Sequence, residues 1–406
     1  MAKRIFITGI GIISAVGKNV SETLSNIKAA SSGVGEIQYL QTVHKGKLPL
    51  CEVKYTNEEL CHLAKVAPSS RMTRTSLLGI IAAQEAWRSA GSPVLGDGRT
   101  GVFSGNTVGG MDKTEHFYAD FMQDNQSGDI QTMLTHECAE STERIADSLG
   151  ATGMVSTIST ACSSAANTIM LGARMIKHGL LDRAIVGGVD ALTKFTVNGF
   201  NVLQILDAEF SQPFDQNRRG LNLGEGAGFI VLEAEGIAKE EQILGELVGY
   251  ANSNDAYHQT ASSPDGTGAY LAMKGALDVA NIEPAQIDYV NVHGTGTPNN
   301  DLSEGIAMQR LFGDRIPKFS STKAFTGHTL GASGGVEAVL STLALQHQII
   351  YPNLRFETAI EALGGTMVPE TELLEHQNLT YILSNSFGFG GNTSSLVFKA
   401  YKKKTT

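Results

Sequence analysis

The chain of 406 residues has little of what several protein classes require. Its 31 Lys and Arg stand against 41 Asp and Glu, for a formal net charge of −10. No stretch gathers cations into the basic face that phosphate-backbone binding needs, which excludes nucleic acid as a partner. An acidic protein partner stays open, because Lys177, Arg183, Arg218, Arg219 and Lys318 offer a local basic patch. Cysteine is scarce: Cys51, Cys61, Cys138 and Cys162 lie at irregular spacing without a CxxC pair. That excludes a disulfide scaffold and fits a reducing, cytoplasmic setting. With no HExxH or paired-Cys pattern, no metal is expected. Nowhere do eighteen apolar residues follow one another, so no membrane span is expected. The apolar run 5–16 behind Lys3 and Arg4 is shaped like a signal segment. Thr8, Gly9, Gly11 and Ser14 interrupt it and no cleavage-type end follows, so it reads as a buried strand and turn.

What is abundant is glycine, 45 residues against 10 Pro, a balance suited to tight strand-to-helix turns rather than to linkers. Short β-rich apolar runs alternate with longer amphipathic ones, the pattern of a layered α/β fold with buried sheets. Strands are expected at 4–13, 101–105, 183–189, 228–233, 245–252, 287–293 and 381–385. Helices are expected at 20–30, 74–90, 162–178, 268–280, 302–311 and 335–348. The polar, acidic stretch 117–147 has no strong period and reads as an excursion that caps a site or meets a partner. A charge-rich junction near 235–241 divides the chain into halves, 1–240 and 241–406. Each half has a strand, a Gly-rich turn and a small-residue helix, which suggests an internal duplication.

Four short segments carry chemistry. In TISTACSSAANT, 157–168, a β-branched run ends in small residues and Cys162 opens a helix. The positive end of the helix dipole favours a thiolate there, as a nucleophilic cysteine requires. In NVHGTGTP, 291–298, His293 stands at a strand end, where α/β folds place functional side chains. In SSTKAFTGHTLGASGG, 320–335, Lys323 lies on a strand end and His328 just before a small-residue helix. No phosphate-loop pattern accompanies these glycines. In SNSFGFGGNTS, 384–394, glycines free backbone N–H groups for an oxyanion, and Phe387 and Phe389 could gate a pocket.

Taken in order, TACSSAAN, NVHGTGTP, STKAFTGHTLGASGG and NSFGFGG resemble the β-ketoacyl-acyl-carrier-protein synthases of the elongating type. FITGIGIISAVG near the start, AIVGGVDA at 184–191 and QPFDQNRRGLNLGEGAGFIVLEA at 212–234 extend the resemblance over nearly the whole chain. It implies a thiolase-like fold, layered α-β-α-β-α and built from two similar halves, and an acyltransferase working as a homodimer. The reaction implied is decarboxylative Claisen condensation of an acyl group, held as a Cys thioester, with malonyl-acyl-carrier protein. The acyl groups travel on the phosphopantetheine of that carrier, and no cofactor is required. Cys162 would be the acylated nucleophile. His293 and His328 would bind the malonyl thioester and stabilise its enolate, with Lys323 orienting the site. The N–H groups of Cys162 and Phe389 would form the oxyanion hole, and Phe389 would gate the acyl pocket. Glu337, placed on the same helix as His328, and Asp301 and Glu304 would support the site.

Three features depart from the usual elongation enzymes. The Pro- and Phe-rich stretch before the nucleophile strand is replaced by LTHECAESTERIADSLG at 134–150, so the acyl pocket is expected to differ in shape. The loop at 205–213 is shorter, and GGNT at 390–393 stands where GGTN is familiar. These changes resemble ketosynthases of aryl-polyene or type II polyketide pathways, some of which pair with a chain-length-factor subunit.

Overall fold

The computed structural model describes residues 3–96 and 98–402. Its strands are β1 (Ile5–Ser14), β2 (Thr100–Gly105), β3 (Val155–Ile158), β4 (Arg183–Asp190), β5 (Gly226–Ala234), β6 (Gly245–Asn254), β7 (Tyr289–Asn291), β8 (Lys318–Ser320), β9 (Tyr381–Phe387) and β10 (Asn392–Lys399). The helices are α1 (Val20–Lys28), α2 (Asn57–Ala64), α3 (Arg74–Ser89), α4 (Met111–Gln123), α5 (Cys138–Leu149), α6 (Ser164–Lys177), α7 (Lys194–Val202), α8 (Thr267–Ala280), α9 (Pro298–Phe312), α10 (Lys323–Thr326) and α11 (Ser333–His347). Among the described residues no helix is long and apolar enough to cross a membrane.

The strand order is β3-β2-β4-β5-β1-β6-β10-β9-β7-β8. Among the described residues, two register pairs, Phe6–Glu246 and Ile7–Gly245, join β1 to β6. On either side of that seam the pattern repeats. In the first, β3, β2 and β4 run parallel and β5 lies antiparallel between β4 and β1. In the second, β8, β7 and β9 run parallel and β10 lies antiparallel between β9 and β6.

Alternation along the strands sorts side chains into separate cores. On β5, Ile230, Leu232 and Ala234 join the residues of α6 and α11, whereas Ala227, Phe229 and Val231 face α3. On the other side of the seam, Ile382, Leu396 and Phe398 meet the first of these cores, and Leu383 and Val397 meet α8. The period of two therefore sets both faces of each half-sheet against helices. The layers run α3, half-sheet, α6 with α11, half-sheet, α8 with α9: the α-β-α-β-α architecture. A helix between two sheets has no solvent face, and α11 is buried at every position from Ser333 to Leu345. α6 and α11 approach closely because Gly334 has no Cβ; one there would lie 2.7 Å from the Ala166 nitrogen.

Several local expectations need correction. The stretch 117–147 holds α4, a 3-10 turn at Ile130–Thr135 and α5. α4 has no buried residue, and its Tyr118, Phe121 and Met122 face outward, so no core-facing period marks it. α5 buries Ser141, Thr142, Ile145 and Ala146, a face mostly of small or hydroxyl residues. β3 and β8 are too short, at 4 and 3 residues, to stand out as runs. The basic patch does not form as a free surface. Arg183 pairs with Glu233, Arg219 with Asp207 and Glu209, and Lys318 with Glu370, while Arg218 lies 3.9 Å from Asp301.

Candidate active site

β3 leads into a sharp turn at which Ala161 adopts φ 53°, a left-handed conformation uncommon outside glycine. Small side chains hold that turn closed: the Thr160 N–H donates to Ser164 Oγ at 2.8 Å and the Ser164 hydroxyl donates to the Ala161 carbonyl at 2.6 Å. Cys162 stands at its apex, two residues before α6 rather than as the first residue of that helix. The loop after β9 comes up against it. A Cβ on Gly388 would lie 3.0 Å from the Cys162 nitrogen, so glycine lets the Phe389 N–H join the Cys162 N–H around the sulfur.

The second half of the sheet supplies the partners. His293 follows β7, and buried Glu304 on α9 fixes that strand end by accepting the His293 and Gly294 N–H groups, both at 2.8 Å, and the Asn385 amide at 3.0 Å. Asp301 accepts the Phe214 N–H at 2.7 Å and the Gly296 N–H at 3.2 Å, tying the 212–220 loop to the turn after His293. Lys323 is the first residue of α10, not a strand residue, and its ammonium meets Glu337, which also accepts from the Ser386 hydroxyl at 3.2 Å. His328 lies outside α11, the helix that carries Glu337. Its backbone is clamped instead, with its N–H donating to Asn222 O at 2.8 Å and its carbonyl accepting from Gly224 at 3.0 Å.

These arrangements bring Cys162, His293 and His328 together. His328 Nε2 lies 3.0 Å from Cys162 Sγ, and the imidazole rings stand edge to face with centroids 5.3 Å apart. One ligand atom from each residue falls within 4.8 Å of the others, a spacing that a soft metal ion could also use. The buried Lys323 charge, felt by all three, opposes a dication there. Burial is the dominant electrostatic fact. It pushes the Cys162 thiol up to about 12, against the pull of Lys323 and the two backbone N–H groups. The thiolate expected from the helix dipole is therefore not the resting form, because desolvation outweighs dipole and charge. Burial, then Lys323, holds both histidines well below the ordinary imidazole range, so they are neutral at pH 7. Burial also raises the Glu337 carboxyl, with Lys323 opposing, and raises Glu304 to about 7.

Two cavities meet at the sulfur. One, of about 300 Å³, is lined by His293, His328, Thr260, Ser262, Thr295 and Asn299 among others. The other, of about 410 Å³, is apolar, with Val108, Met111, Phe195, Leu203 and Leu330 in its wall. Cys162, Phe200 and Phe389 belong to both, and the two Phe rings stack at 5.8 Å as a partition. A larger cleft of about 730 Å³ near Lys47, Phe210 and Arg355 holds none of the reacting groups. The unusual 134–150 stretch does not line the apolar cavity. It backs the 107–111 loop that does: a Cβ on Gly110 would lie 1.9 Å from the Thr135 carbonyl.

Sequence reasoning missed Asp190, Phe200, Ser333, Asn385 and Ser386. Four of them lie inside stretches it had singled out, but a single polar residue among glycines gives no sign of what it faces. Asp190 ends β4 fully buried and accepts from Thr107, Val108 and Gly331, fastening the floor of the site.

Residues 2–237 match the β-ketoacyl synthase N-terminal domain and residues 244–357 the β-ketoacyl synthase C-terminal domain. The chain is 35% identical to a 3-oxoacyl-[acyl-carrier-protein] synthase 2 of Staphylococcus aureus, over 98% of this chain and 99% of that one. Among solved structures it resembles the ishigamide ketosynthase/chain length factor, with a TM-score of 0.92, 28% identity, and 99% and 100% of the two chains covered. It also resembles a ketosynthase from Xenorhabdus doucetiae solved in complex with its chain length factor, with a TM-score of 0.83, 31% identity and 98% of each chain covered. A cysteine and two neutral histidines meeting between two cavities, in a fold of two repeated halves, thus place this chain in the β-ketoacyl synthase family of condensing acyltransferases.

Proposed function

We propose that the chain condenses an acyl group with malonyl-acyl-carrier protein to give 3-oxoacyl-acyl-carrier protein, in fatty-acid biosynthesis. One observation carries this reading: His328 Nε2 stands 3.0 Å from a protonated, buried Cys162 at the meeting point of a polar and an apolar cavity. In the first step Cys162 attacks the acyl thioester of the carrier, its proton passing to the departing phosphopantetheine sulfur. The two thioesters are nearly equal in energy, so the chemistry needs only a proton acceptor and an oxyanion site. The Cys162 and Phe389 N–H groups supply the latter, and the acyl chain lies in the apolar cavity behind Phe389. In the second step malonyl-carrier protein enters the polar cavity. Its carboxylate leaves as carbon dioxide, and the electron pair forms an enolate whose oxygen falls against His293 and His328. The enolate carbon attacks the Cys162 thioester, and the sulfur leaves as a thiolate and takes up one proton from solvent. Loss of carbon dioxide drives the sequence, so no cofactor is needed. Burial, reinforced by the charge of Lys323 with Glu337 beside it, keeps both histidines neutral. Glu304 and Asp301 hold the first of them in place.

The test is Cys162→Ala. Condensation disappears while some malonyl decarboxylation survives, read as carbon dioxide release and by mass spectrometry of the carrier. Product formation at the wild-type rate by that variant overturns the assignment.

An apolar face supports a partner chain. Tyr118, Phe121 and Met122 on α4 are 60%, 42% and 64% exposed, Ile130 and Leu134 beyond it 65% and 69%. β3 is an edge strand with Val155 uncovered. Exposed apolar side chains beside an open strand edge are an interface waiting for a partner. We assign that face to a second copy of this chain in a cytoplasmic homodimer, with the halves joined near 240. A second reading, a ketosynthase of an aryl-polyene or type II polyketide pathway paired with a chain-length-factor subunit, is favoured by the 28% and 31% identical solved structures named for such pairs. Light scattering on the purified chain separates the two. A stable dimer of one chain supports the first reading, and a monomer that dimerises only with a second ketosynthase-like chain supports the other.

A further inference from the structure

His328 uses both of its ring nitrogens. Nε2 faces Cys162 Sγ at 3.0 Å, and Nδ1 faces the Ser333 hydroxyl at 3.0 Å. Ser333, the first residue of α11, is 2% exposed, and its oxygen also lies 3.3 Å from Thr329 Oγ1. His293 differs: among the described residues its buried Nδ1 has no hydrogen-bond partner. A nucleophile, a base and a third group that orients the base form the arrangement by which weak nucleophiles are activated, whatever the residue types. We propose that Ser333 is the third member of such a set, a positioning residue that holds His328 with its proton on Nδ1 so that Nε2 can accept the proton of Cys162 during acyl transfer.

A neutral imidazole carries one N–H. For Nε2 to accept from the thiol, that proton must sit on Nδ1 and needs an acceptor in a place closed to water. The Ser333 oxygen supplies it, and its own hydrogen turns toward Thr329 Oγ1. When Cys162 attacks the incoming thioester, the S–H bond breaks and Nε2 takes the proton, so the ring becomes imidazolium with Nδ1–H held by Ser333. As the carbon–sulfur bond to the carrier breaks, the departing phosphopantetheine thiolate takes that proton from Nε2, and His328 is neutral again. The buried thiol makes this help necessary, because too little thiolate is present at rest. Because the Ser333 hydroxyl can donate as well as accept, His328 is free to exchange to its Nε2–H tautomer once Cys162 is acylated, so that both histidines turn an N–H to the enolate oxygen.

The inference rests on the proposed condensation and is tested on its first half alone. Ser333→Ala and Ser333→Thr are compared with the unaltered chain for the rate at which Cys162 becomes acylated by an acyl-pantetheine thioester, read by mass spectrometry. Malonyl decarboxylation is measured alongside in the Cys162→Ala background. Nitrogen-15 spectra of the imidazoles report which ring nitrogen of His328 carries the proton. Expected are acylation slowed about tenfold or more relative to decarboxylation in Ser333→Ala, recovery in Ser333→Thr, and an Nδ1–H signal for His328 that weakens only in the alanine variant. Equal loss in both half-reactions, unchanged acylation, or an Nε2–H signal in the unaltered chain overturns the role of Ser333. Absence of any acylation in the unaltered chain overturns the condensation reading instead.

Discussion

The loops that leave β2, β3 and β4 and those that leave β7, β8 and β9 occupy matching places in the two half-sheets, and the site draws on all six. From the first set come Thr107, Cys162 and Asp190; from the second come His293, then Lys323 and His328, then Phe387 to Phe389. Even the turns correspond, since each of the loops after the third strand carries a non-glycine residue at positive φ, Ala161 at 53° and Leu330 at 52°. The chemistry does not correspond. The first half holds the nucleophile, and the buried carboxylate beside it, Asp190, accepts from Thr107, Val108 and Gly331. The second holds the basic groups, and its buried carboxylates, Glu304 and Glu337, position a histidine and a lysine. A repeated scaffold can thus divide one reaction between its copies, because parallel strands of both halves end at the same place.

The most damaging way to break this asymmetry is to strip Lys323 of its partner. Glu337→Gln leaves an uncompensated ammonium between two sheets, and stability falls by about 3–5 kcal/mol, measured by urea unfolding. A loss below ~1 kcal/mol shows that the pair is not buried as described. Next is His293→Ala, which removes a donor at the enolate and lowers kcat by roughly 10²–10³ with little change in acylation of Cys162. Because both histidines lie well below the usual imidazole range, activity of the unaltered enzyme stays level as pH falls through 6.5. A fall centred at 6.5 in the rate profile contradicts that assignment. In the first half, Asp190→Asn sets an amide N–H against the N–H of either Val108 or Gly331, which donate to different carboxylate oxygens, and this costs about 1–3 kcal/mol by thermal unfolding without changing the identity of the nucleophile.

The smallest effect concerns pH and the second half. Glu304 is raised by burial to about 7 and Asp190 to about 6. Each binds its proton more tightly when folded than when unfolded, where carboxyls titrate near 4. Their contribution is therefore fully present below about pH 4 and is lost as pH rises through 6 and 7. Urea midpoints taken from pH 5 to 8 decline in the unaltered chain, and the decline is shallower in Glu304→Gln. Parallel profiles for the two show that Glu304 titrates as an ordinary carboxyl.

Much of the architecture was legible because buried β-branched runs such as Ile5–Ser14 and Arg183–Asp190 advertise themselves by composition. The excursion at 117–147 was not, since α4 turns its apolar residues outward and a pattern of that kind has no core to reveal. Cys162, His293 and His328 were legible as chemistry-bearing residue types, His293 at a strand end and the other two at the starts of small-residue helices. Lys323 was legible as a residue but not as a helical one, because β8 ends after three residues. Asp190 and Asn385 were invisible, since a single polar letter inside a hydrophobic or glycine-rich run does not say what it binds.

The sequence by itself determined which residues can react and the layered class of fold, because side-chain identity and hydrophobic period are local properties. Only tertiary structure decided that Cys162 and His328, 166 positions apart, stand 3.0 Å from one another. It also reversed one local expectation. A cysteine ahead of a helix invites a thiolate, but enclosure between two half-sheets removes water from the sulfur and keeps the proton on it. Burial depends on what the rest of the chain brings alongside, and no window of neighbouring residues contains that information.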